Sequence, residues 1–116
     1  MKKKTLFNLT NKVAVITGAA GLLGQSHVIS LSHLECNVVA TDISNIQLKK
    51  LKIFLNDKFP QFKNKVHFKK MDVTKETSIN GCIKYCHKKF GRIDILVNNA
   101  AYNPSTNKLK KNSLLE

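Results

Sequence analysis

Short runs of apolar, mostly β-branched residues alternate along the chain with longer stretches in which apolar residues recur at helical spacing. The first run, Val13 to Ile16, has no polar alternation, as expected of a strand covered on both faces. Val38 to Ala40, Val66 to Phe68 and Ile93 to Val97 supply three more strands. This alternation predicts an α/β fold in which stacked βαβ units surround about four parallel strands.

Helical stretches separate these strands. The first helix is predicted from about Gly21 to Leu34, where apolar residues recur every third position toward its end. Ser44 is placed to cap a second helix ending near Pro60, and Thr74 to cap a third. Gly91 suits the C-terminal turn of the third helix. The apolar stripes of the second and third helices are Leu48, Leu51, Phe54 and Leu55, and Ile79, Ile83, Cys86 and Phe90.

Glycines recur at every third position where the first strand turns into the first helix. In a dinucleotide-binding fold Gly18 permits the tight turn, Gly21 lets backbone amides approach the pyrophosphate, and Gly24 lets the helix pack closely on the strand. The helix N-terminus offers unpaired amides to the phosphates. Spaced glycines alone also fit an ordinary strand-to-helix turn. Their position after the first strand of a βαβ unit favours the dinucleotide.

Polar residues follow the other three predicted strands. Asp42 stands where a carboxylate can accept hydrogen bonds from the adenosine ribose hydroxyls. It would repel a 2′-phosphate, and no arginine lies nearby, so NAD is favoured over NADP. Asp72-Val73 follows the third strand and Asn98 to Ala101 the fourth. Each feature alone also fits a turn or a helix cap. Ligands of open parallel sheets bind outside the carboxyl ends of the strands, so all four features are expected to converge on one crevice.

The order and spacing of these motifs resemble the short-chain dehydrogenase/reductase family over practically the whole chain. The resemblance implies a doubly wound Rossmann fold with strand order 3-2-1-4 and a nicotinamide dinucleotide cofactor. By the same resemblance the glycine turn faces the pyrophosphate and nicotinamide ribose, Asp42 the adenosine ribose, and Asp72-Val73 the adenine, while Asn98 stabilises the sheet. The implied cofactor-binding residues are Gly18, Gly21, Leu22, Leu23, Gly24, Asp42, Ile43, Asp72, Val73, Asn99 and Ala100.

Two details depart from the commonest family pattern. The shorter family members carry TGxxxGxG, whereas this chain has the TGxxGxxG spacing of the extended, sugar-nucleotide-modifying members. The Asn98 to Ala101 motif belongs to the shorter branch. Together with Asn103-Pro104, the combination resembles a subgroup associated with bacterial surface-sugar biosynthesis and flagellin modification.

The family's catalytic serine and Tyr-x-x-x-Lys pair lie downstream of the fourth strand, so we expect no catalytic residue in this chain. Tyr85 and Lys89 match the pair's spacing, but they precede the fourth strand, on a helix that flanks the sheet. Tyr102 lies close to the expected site and has no lysine four residues further on. A βα unit takes roughly 30 residues, so 116 residues supply about four of the family's seven strands.

The fold is therefore expected to be partial, with its C-terminal half absent. Without a fifth strand, Ile95 and Val97 would lie on an unpaired apolar edge, and the chain would self-associate. We expect a basic N-terminal extension (1–11), a partial dinucleotide-binding domain (12–101) and a loop with a truncated tail (102–116). The full-length parent would transfer hydride between NAD(H) and a carbonyl or secondary alcohol, with a sugar as candidate substrate, and the chain alone would be inactive. The alternative is a dinucleotide-binding module without chemistry.

Composition argues against two other classes, specific nucleic-acid-binding proteins and membrane-spanning proteins. The net charge of +13 suggests a polyanion-binding protein as another function class. The basic residues are, however, scattered lysines, with Arg92 as the single arginine. Base readout by bidentate arginine is therefore essentially lacking, and specific nucleic-acid binding is not expected. The apolar stretches are far shorter than the roughly 20 residues of a membrane span. These features, with a start that lacks an apolar signal core, favour the cytoplasm.

The three cysteines lack Cys-x-x-Cys spacing, which suits reduced thiols better than disulfides. Cys82 and Cys86 share a helix face and, with His87, would offer three metal-ligand types. The apolar stripe around them favours buried, inert thiols instead, because free cysteine packs as a small hydrophobe. No metal site is expected.

Overall fold

In the computed structural model, which describes residues 8–100, the four strands form one parallel sheet in the order β3-β2-β1-β4. The predicted fold class and strand order are confirmed. At the centre of the sheet Val15 of β1 pairs with Val39 of β2 on one side and with Leu96 of β4 on the other. The elements are β1 (Val13–Ile16), α1 (Leu22–His33), β2 (Asn37–Asp42), α2 (Asn45–Lys58), a 3₁₀ turn (Pro60–Phe62), β3 (Val66–Lys70), α3 (Glu76–Phe90) and β4 (Ile95–Val97).

Helices cover both faces of the central strands β1 and β2. All four residues of β1 are buried, which accounts for the unbroken apolar run in the sequence. Ala14 and Ile16 pack in a cluster with residues of α1 and α2, whereas Val13 and Val15 pack in a second cluster with residues of α3. Alternate side chains of one strand thus reach opposite layers of helices.

Of the three residues predicted to cap or terminate a helix, Ser44 and Gly91 do so. The Ser44 hydroxyl accepts a hydrogen bond from the Gln47 amide at 3.2 Å, and Gly91 ends α3 in the left-handed conformation with φ 77°. The assignment of Thr74 as the cap of α3 is wrong. The amide and hydroxyl of Thr74 donate instead to Oδ1 of Asp72, at 2.9 and 2.6 Å. This Asx turn occupies Thr74, so the helix begins only at Glu76.

The apolar stripes differ from the predicted ones by one residue in each of two helices. Phe54 and Ile83 are 39% and 40% exposed, whereas Cys82 is buried. On α3, positions 79, 82, 86 and 90 share the face toward the sheet, which places Ile83 beside that face. The stripe of α2 that reaches the core is Leu48, Leu51 and Leu55.

The three cysteines are free and buried, which confirms the burial predicted for Cys82 and Cys86. Burial raises the pKa of the Cys36 and Cys82 thiols, and it raises the pKa of Cys86 to about 12. Thiolate, the reactive and metal-binding form, is therefore scarce at neutral pH. Within residues 8–100 no group of His, Cys, Asp and Glu is arranged to hold a metal ion.

The outer strand β4 carries one exposed apolar residue. Ile95 and Val97 are half-buried against the α1 and α2 cluster, while Leu96, on the opposite face, is 65% exposed. Ile95 and Val97 lie on an outer strand as expected, and Leu96 is the exposed apolar residue of this strand because alternate side chains point to opposite faces. The self-association expected from this edge stays a prediction.

The segment before β1 contacts the domain. The amide of Leu9 donates to the Leu34 carbonyl at 2.8 Å, and the Leu9 side chain packs against the α1 and α2 cluster. Residues 1–7 of the expected basic extension and the expected tail, with Tyr102 and Asn103-Pro104, lie outside the described residues. None of the described helices has the length and apolar character needed to cross a bilayer.

An ion pair secures the start of β4 against β1. Arg92 donates to both carboxylate oxygens of Asp94 at 2.8 Å, and Oδ2 of Asp94 accepts the Val13 amide at 2.9 Å. The Asp94 amide donates in turn to the Val13 carbonyl at 2.9 Å. The hydrogen bonds from Arg92, followed by that from Val13, lower the pKa of Asp94 below its ordinary value of 3.8.

We therefore expect Asp94→Asn to lower the free energy of unfolding at neutral pH. A carboxyl whose pKa is lower in the folded state stabilises above its unfolded pKa, and this stabilisation is lost as the pH falls through the folded pKa. The difference between wild type and Asp94→Asn should be full above about pH 5 and shrink as the pH falls below that value. Urea denaturation followed by circular dichroism measures this. Asp57→Asn, which removes the same charge from an exposed site, is the control, and equal pH profiles for the two variants would refute the assignment.

Candidate functional site

A crevice of about 520 Å³ lies outside the carboxyl ends of the strands. Residues that end or follow each of the four strands contribute to it, as the motif spacing predicted. All the candidate residues line this crevice except Leu22, Leu23 and Gly24. Its lining residues are Gly18, Gly21, Asp42, Ile43, Met71, Asp72, Val73, Thr74, Asn99 and Ala100.

Two of the three glycines are required by close backbone contacts. Gly18 has φ +61°, and a Cβ there would lie 2.9 Å from Cα of Ala100. A Cβ at Gly24 would lie 2.2 Å from the Gly18 carbonyl oxygen, so α1 packs directly on the turn. A Cβ at Gly21 would make only an ordinary 3.5 Å contact. The intramolecular packing therefore requires Gly18 and Gly24, and leaves the glycine at position 21 without a structural reason.

The N-terminus of α1 opens at the crevice, because Gly21 both caps the helix and lines the cavity. No side chain caps this helix, and its first turn holds no acidic residue. Leu22 and Leu23 begin the helix and are 89% and 63% exposed. The first-turn amides and the positive end of the helix dipole thus remain available to an anionic group, which a dinucleotide pyrophosphate would supply.

The hydroxyl of Thr17 joins the turn after β1 to the segment after β4. It accepts hydrogen bonds from the amides of Asn99 and Ala100, each at 2.9 Å. It can donate to Oδ1 of Asn98 at 3.3 Å, while the Asn99 side-chain amide donates to the Gly18 carbonyl at 3.2 Å. Thr17 is 3% exposed, so these bonds fill the capacity of a buried hydroxyl. Both asparagines of the motif therefore hold the two strand ends together.

Asp42 ends β2 at the rim of the crevice, with its carboxylate oriented by backbone amides. Its Oδ2 accepts the amide of Ala20 in the glycine turn, and its Oδ1 accepts the amide of Ser44, both at 3.1 Å. Each carboxylate oxygen has a further lone pair, so the group can still accept hydrogen bonds from a ligand. The carboxylate thus serves the turn as well as the crevice.

Asp72 contributes a second carboxylate. The hydrogen bonds from the side chain and then the backbone of Thr74 lower the pKa of Asp72, so it is ionised at neutral pH. Its own amide donates to the Ser78 hydroxyl at 2.9 Å, which ties the loop to α3. Oδ1 is the oxygen that Thr74 engages. The loop that follows β3 is therefore held in place by its own polar side chains.

The candidate set omitted three residues that the structure places at or beneath the crevice. Met71 and Thr74 line it, and Thr17 organises its wall. Thr17 carried a signal in the sequence, because it is the polar residue between an otherwise apolar strand and Gly18. Met71 had none, since its position depends on the extension of β3 two residues beyond the predicted end.

The Tyr-x-x-x-Lys spacing at Tyr85 and Lys89 lies elsewhere. Tyr85 is half-buried on α3 and lines a separate cavity at the outer edge of β3. The ammonium of Lys89 lies 6.0 Å from the centre of the Phe90 ring. Neither residue lines the crevice at the strand ends.

Comparisons with known proteins agree on one family. The sequence profile described as short chain dehydrogenase matches residues 12–114. An uncharacterized oxidoreductase of Staphylococcus saprophyticus is 35% identical over 99 residues, which cover 85% of this chain and 38% of the relative. The chain thus spans little more than a third of the length of this curated relative.

Solved structures share the fold. The N-domain of a bacterial malonyl-CoA reductase with NADP matches with a TM-score of 0.76 at 33% identity, over 83% of this chain and 18% of the other. NAD⁺-bound xylitol dehydrogenase matches with a TM-score of 0.70 at 27% identity, over 81% of this chain and 35% of the other. Both similarities cover most of this chain and a minor part of the larger protein.

We expect Thr17→Val to destabilise the chain by roughly 1–3 kcal/mol, because the amides of Asn99 and Ala100 lose their acceptor without a change in side-chain shape. Thr17→Ser keeps the hydroxyl and loses one methyl group, so it should cost about 1 kcal/mol or less. Urea denaturation of the two variants measures the difference. A Thr17→Val chain as stable as Thr17→Ser would show that the hydroxyl contributes little.

Gly24→Ala should destabilise by about 3 kcal/mol or more, because the new Cβ meets backbone atoms that cannot rotate away. The matched control is Gly81→Ala in α3, where a Cβ has no neighbour within 4 Å. That substitution should stabilise by about 0.5–1 kcal/mol through the greater helix propensity of alanine. Thermal unfolding of both variants checks these opposite signs, and a shift of the same sign in both would contradict the packing argument.

Proposed function

Because the chain belongs to the short chain dehydrogenase family, we propose that the crevice at its strand ends binds a nicotinamide dinucleotide. One observation carries this proposal: the glycine turn, the open N-terminus of α1 and the carboxylate of Asp42 meet around a single crevice. Backbone donors suit phosphates and a carboxylate suits ribose hydroxyls, so the two kinds of group match the two kinds of chemistry in a dinucleotide.

In this proposal, different residues of the crevice contact different parts of the dinucleotide. The turn from Gly18 to Gly21 and the first amides of α1, at Leu22 and Leu23, hold the pyrophosphate. Asp42 accepts hydrogen bonds from the adenosine ribose, beside Ile43, and the loop of Asp72 and Val73 borders the adenine. Asn99 and Ala100 form the opposite wall. When bound, the nicotinamide ring supplies or accepts a hydride.

The proposed preference is NAD over NADP. Asp42 and Asp72 both line the crevice, and its described lining contains no lysine or arginine to receive a 2′-phosphate. A phosphate placed beside the Asp42 carboxylate would be repelled, since like charges at short distance disfavour one another. The two solved relatives, one with NAD⁺ and one with NADP, show that both cofactors occur on this fold.

For the whole protein we propose hydride transfer between NAD(H) and a carbonyl or secondary alcohol, with a sugar suggested by the glycine spacing. In this part of the chain Tyr85 and Lys89 lie away from the crevice, so we propose cofactor binding without turnover. The second candidate is a dinucleotide-binding module without chemistry, which the position of Tyr85 and Lys89 away from the crevice also favours.

Titration with NADH, followed by nicotinamide fluorescence, tests the cofactor site. We expect saturable binding, weaker binding of NADPH by about tenfold, and a Kd for NADH raised about tenfold in Asp42→Asn, because a hydrogen bond to a charged group contributes about 1.5 kcal/mol or more. Asp57→Asn controls for the lost charge, and circular dichroism verifies folding. Unchanged NADH binding in folded Asp42→Asn would remove Asp42 from the site.

A further inference from the structure

A second cavity, of about 320 Å³, wraps around the outer edge of β3 and shares no lining residue with the crevice. We call it the edge cavity. Phe68 lies on the sheet face covered by α2, whereas His67 contacts Phe90 of α3 on the other face. The cavity is lined by Lys52, Leu55, Asn56, Phe59, Phe62, Lys63, Asn64, Val66, His67, Phe68 and Tyr85.

The floor of the edge cavity is apolar and aromatic. Leu55, Phe62 and Val66 are buried beneath it. The rings of Phe59 and Phe62 are stacked with centroids 5.5 Å apart and planes 9° from parallel. Three phenylalanines, Phe59, Phe62 and Phe68, thus line the edge cavity, and another aromatic ring can pack against such a lining.

The rim is polar and carries only positive charge. Lys52 and Lys63 are exposed on it, and the Lys52 ammonium lies 6.0 Å from the centre of the Phe68 ring. Lys69 lies beside the cavity, 5.6 Å from the centre of the Tyr85 ring. No carboxylate is among the lining residues, and the ion pairs of residues 8–100 use other cations, Lys58, Lys65 and Arg92.

The backbone adds a donor at the same place. Within residues 8–100, β3 pairs with β2 on one side only, and its other side is the outer edge of the described sheet. The Lys65 carbonyl and the Met71 amide bond to β2, so odd-numbered residues direct their polar backbone groups inward. The groups of Phe68 therefore face away from β2, because the direction alternates along a parallel strand. The Phe68 amide, which pairs with no other described strand, thus lies where the edge cavity passes from one sheet face to the other.

We propose that the edge cavity binds a small aromatic anion, with its ring against the phenylalanines and its acidic group at the rim lysines. The volume lies at the lower end of the range for ligand pockets, which suits one ring system and excludes a dinucleotide. The absence of acidic lining residues favours an anion over a neutral ring. This site goes beyond the dinucleotide crevice and does not depend on it.

The test is an NMR titration of the isotope-labelled full chain with naphthoate, an aromatic carboxylate of suitable size. Saturable shifts are expected at residues of the edge cavity, with Phe68 among them. The double variant Lys52→Gln, Lys63→Gln should raise the Kd roughly tenfold, because two partly exposed ion pairs are lost. Lys49→Gln, Lys50→Gln on the exposed side of α2 removes the same charge outside the cavity and should leave the Kd within about twofold.

Uncharged naphthamide separates charge recognition from ring packing, and it should bind about tenfold more weakly than naphthoate, for the same lost ion pairs. Equal affinities of the two compounds, equal effects of the two double variants, or shifts spread over all lysines would each overturn the proposal. A glutamate-rich peptide provides a further test. If it binds saturably, shifts the amide resonances of β3 and has a lower Kd than naphthoate, the proposal is overturned in favour of strand addition at the edge.

Discussion

The buried hydroxyl of Thr17 joins the two strand ends between which the crevice opens. It accepts the amides of Asn99 and Ala100, while Gly18, one residue further, allows the Ala100 backbone to approach. Strands β1 and β4 are far apart in sequence, so their ends are aligned by such tertiary bonds and not by local preference. At the other end of this strand pair, the hydrogen bond from the Val13 amide to the Asp94 carboxylate aligns the strands in the same way.

The charged side chains of the crevice have the opposite sign to the net charge of the chain. The protein carries +13, yet the crevice side chains that ionise are Asp42 and Asp72. Positive potential at the crevice therefore comes from backbone amides and the end of α1. Such a division lets dipoles meet phosphates while carboxylates meet hydroxyls. The surface lysines add a long-range field that raises the local concentration of anionic ligands.

The two outer strands of the sheet differ in chemistry. β3 is rich in lysine and bounds the edge cavity, and charged side chains of this kind discourage further strand pairing. β4 is short and exposes Leu96. The two outer strands of the sheet thus differ in the charge and polarity of their side chains.

The period of the apolar residues determined the fold class, because a βαβ alternation has few packing solutions, and the glycine and aspartate spacing located the crevice at the strand ends. Only the tertiary structure decided the rest. The residue type of Thr74 predicted a helix cap. In the structure its amide and hydroxyl donate to Asp72, so Thr74 belongs to an Asx turn instead. Cys82 replaces Ile83 in the core because the sheet selects the helix face. The edge cavity combines residues from Lys52 to Tyr85, whose proximity no local pattern specifies.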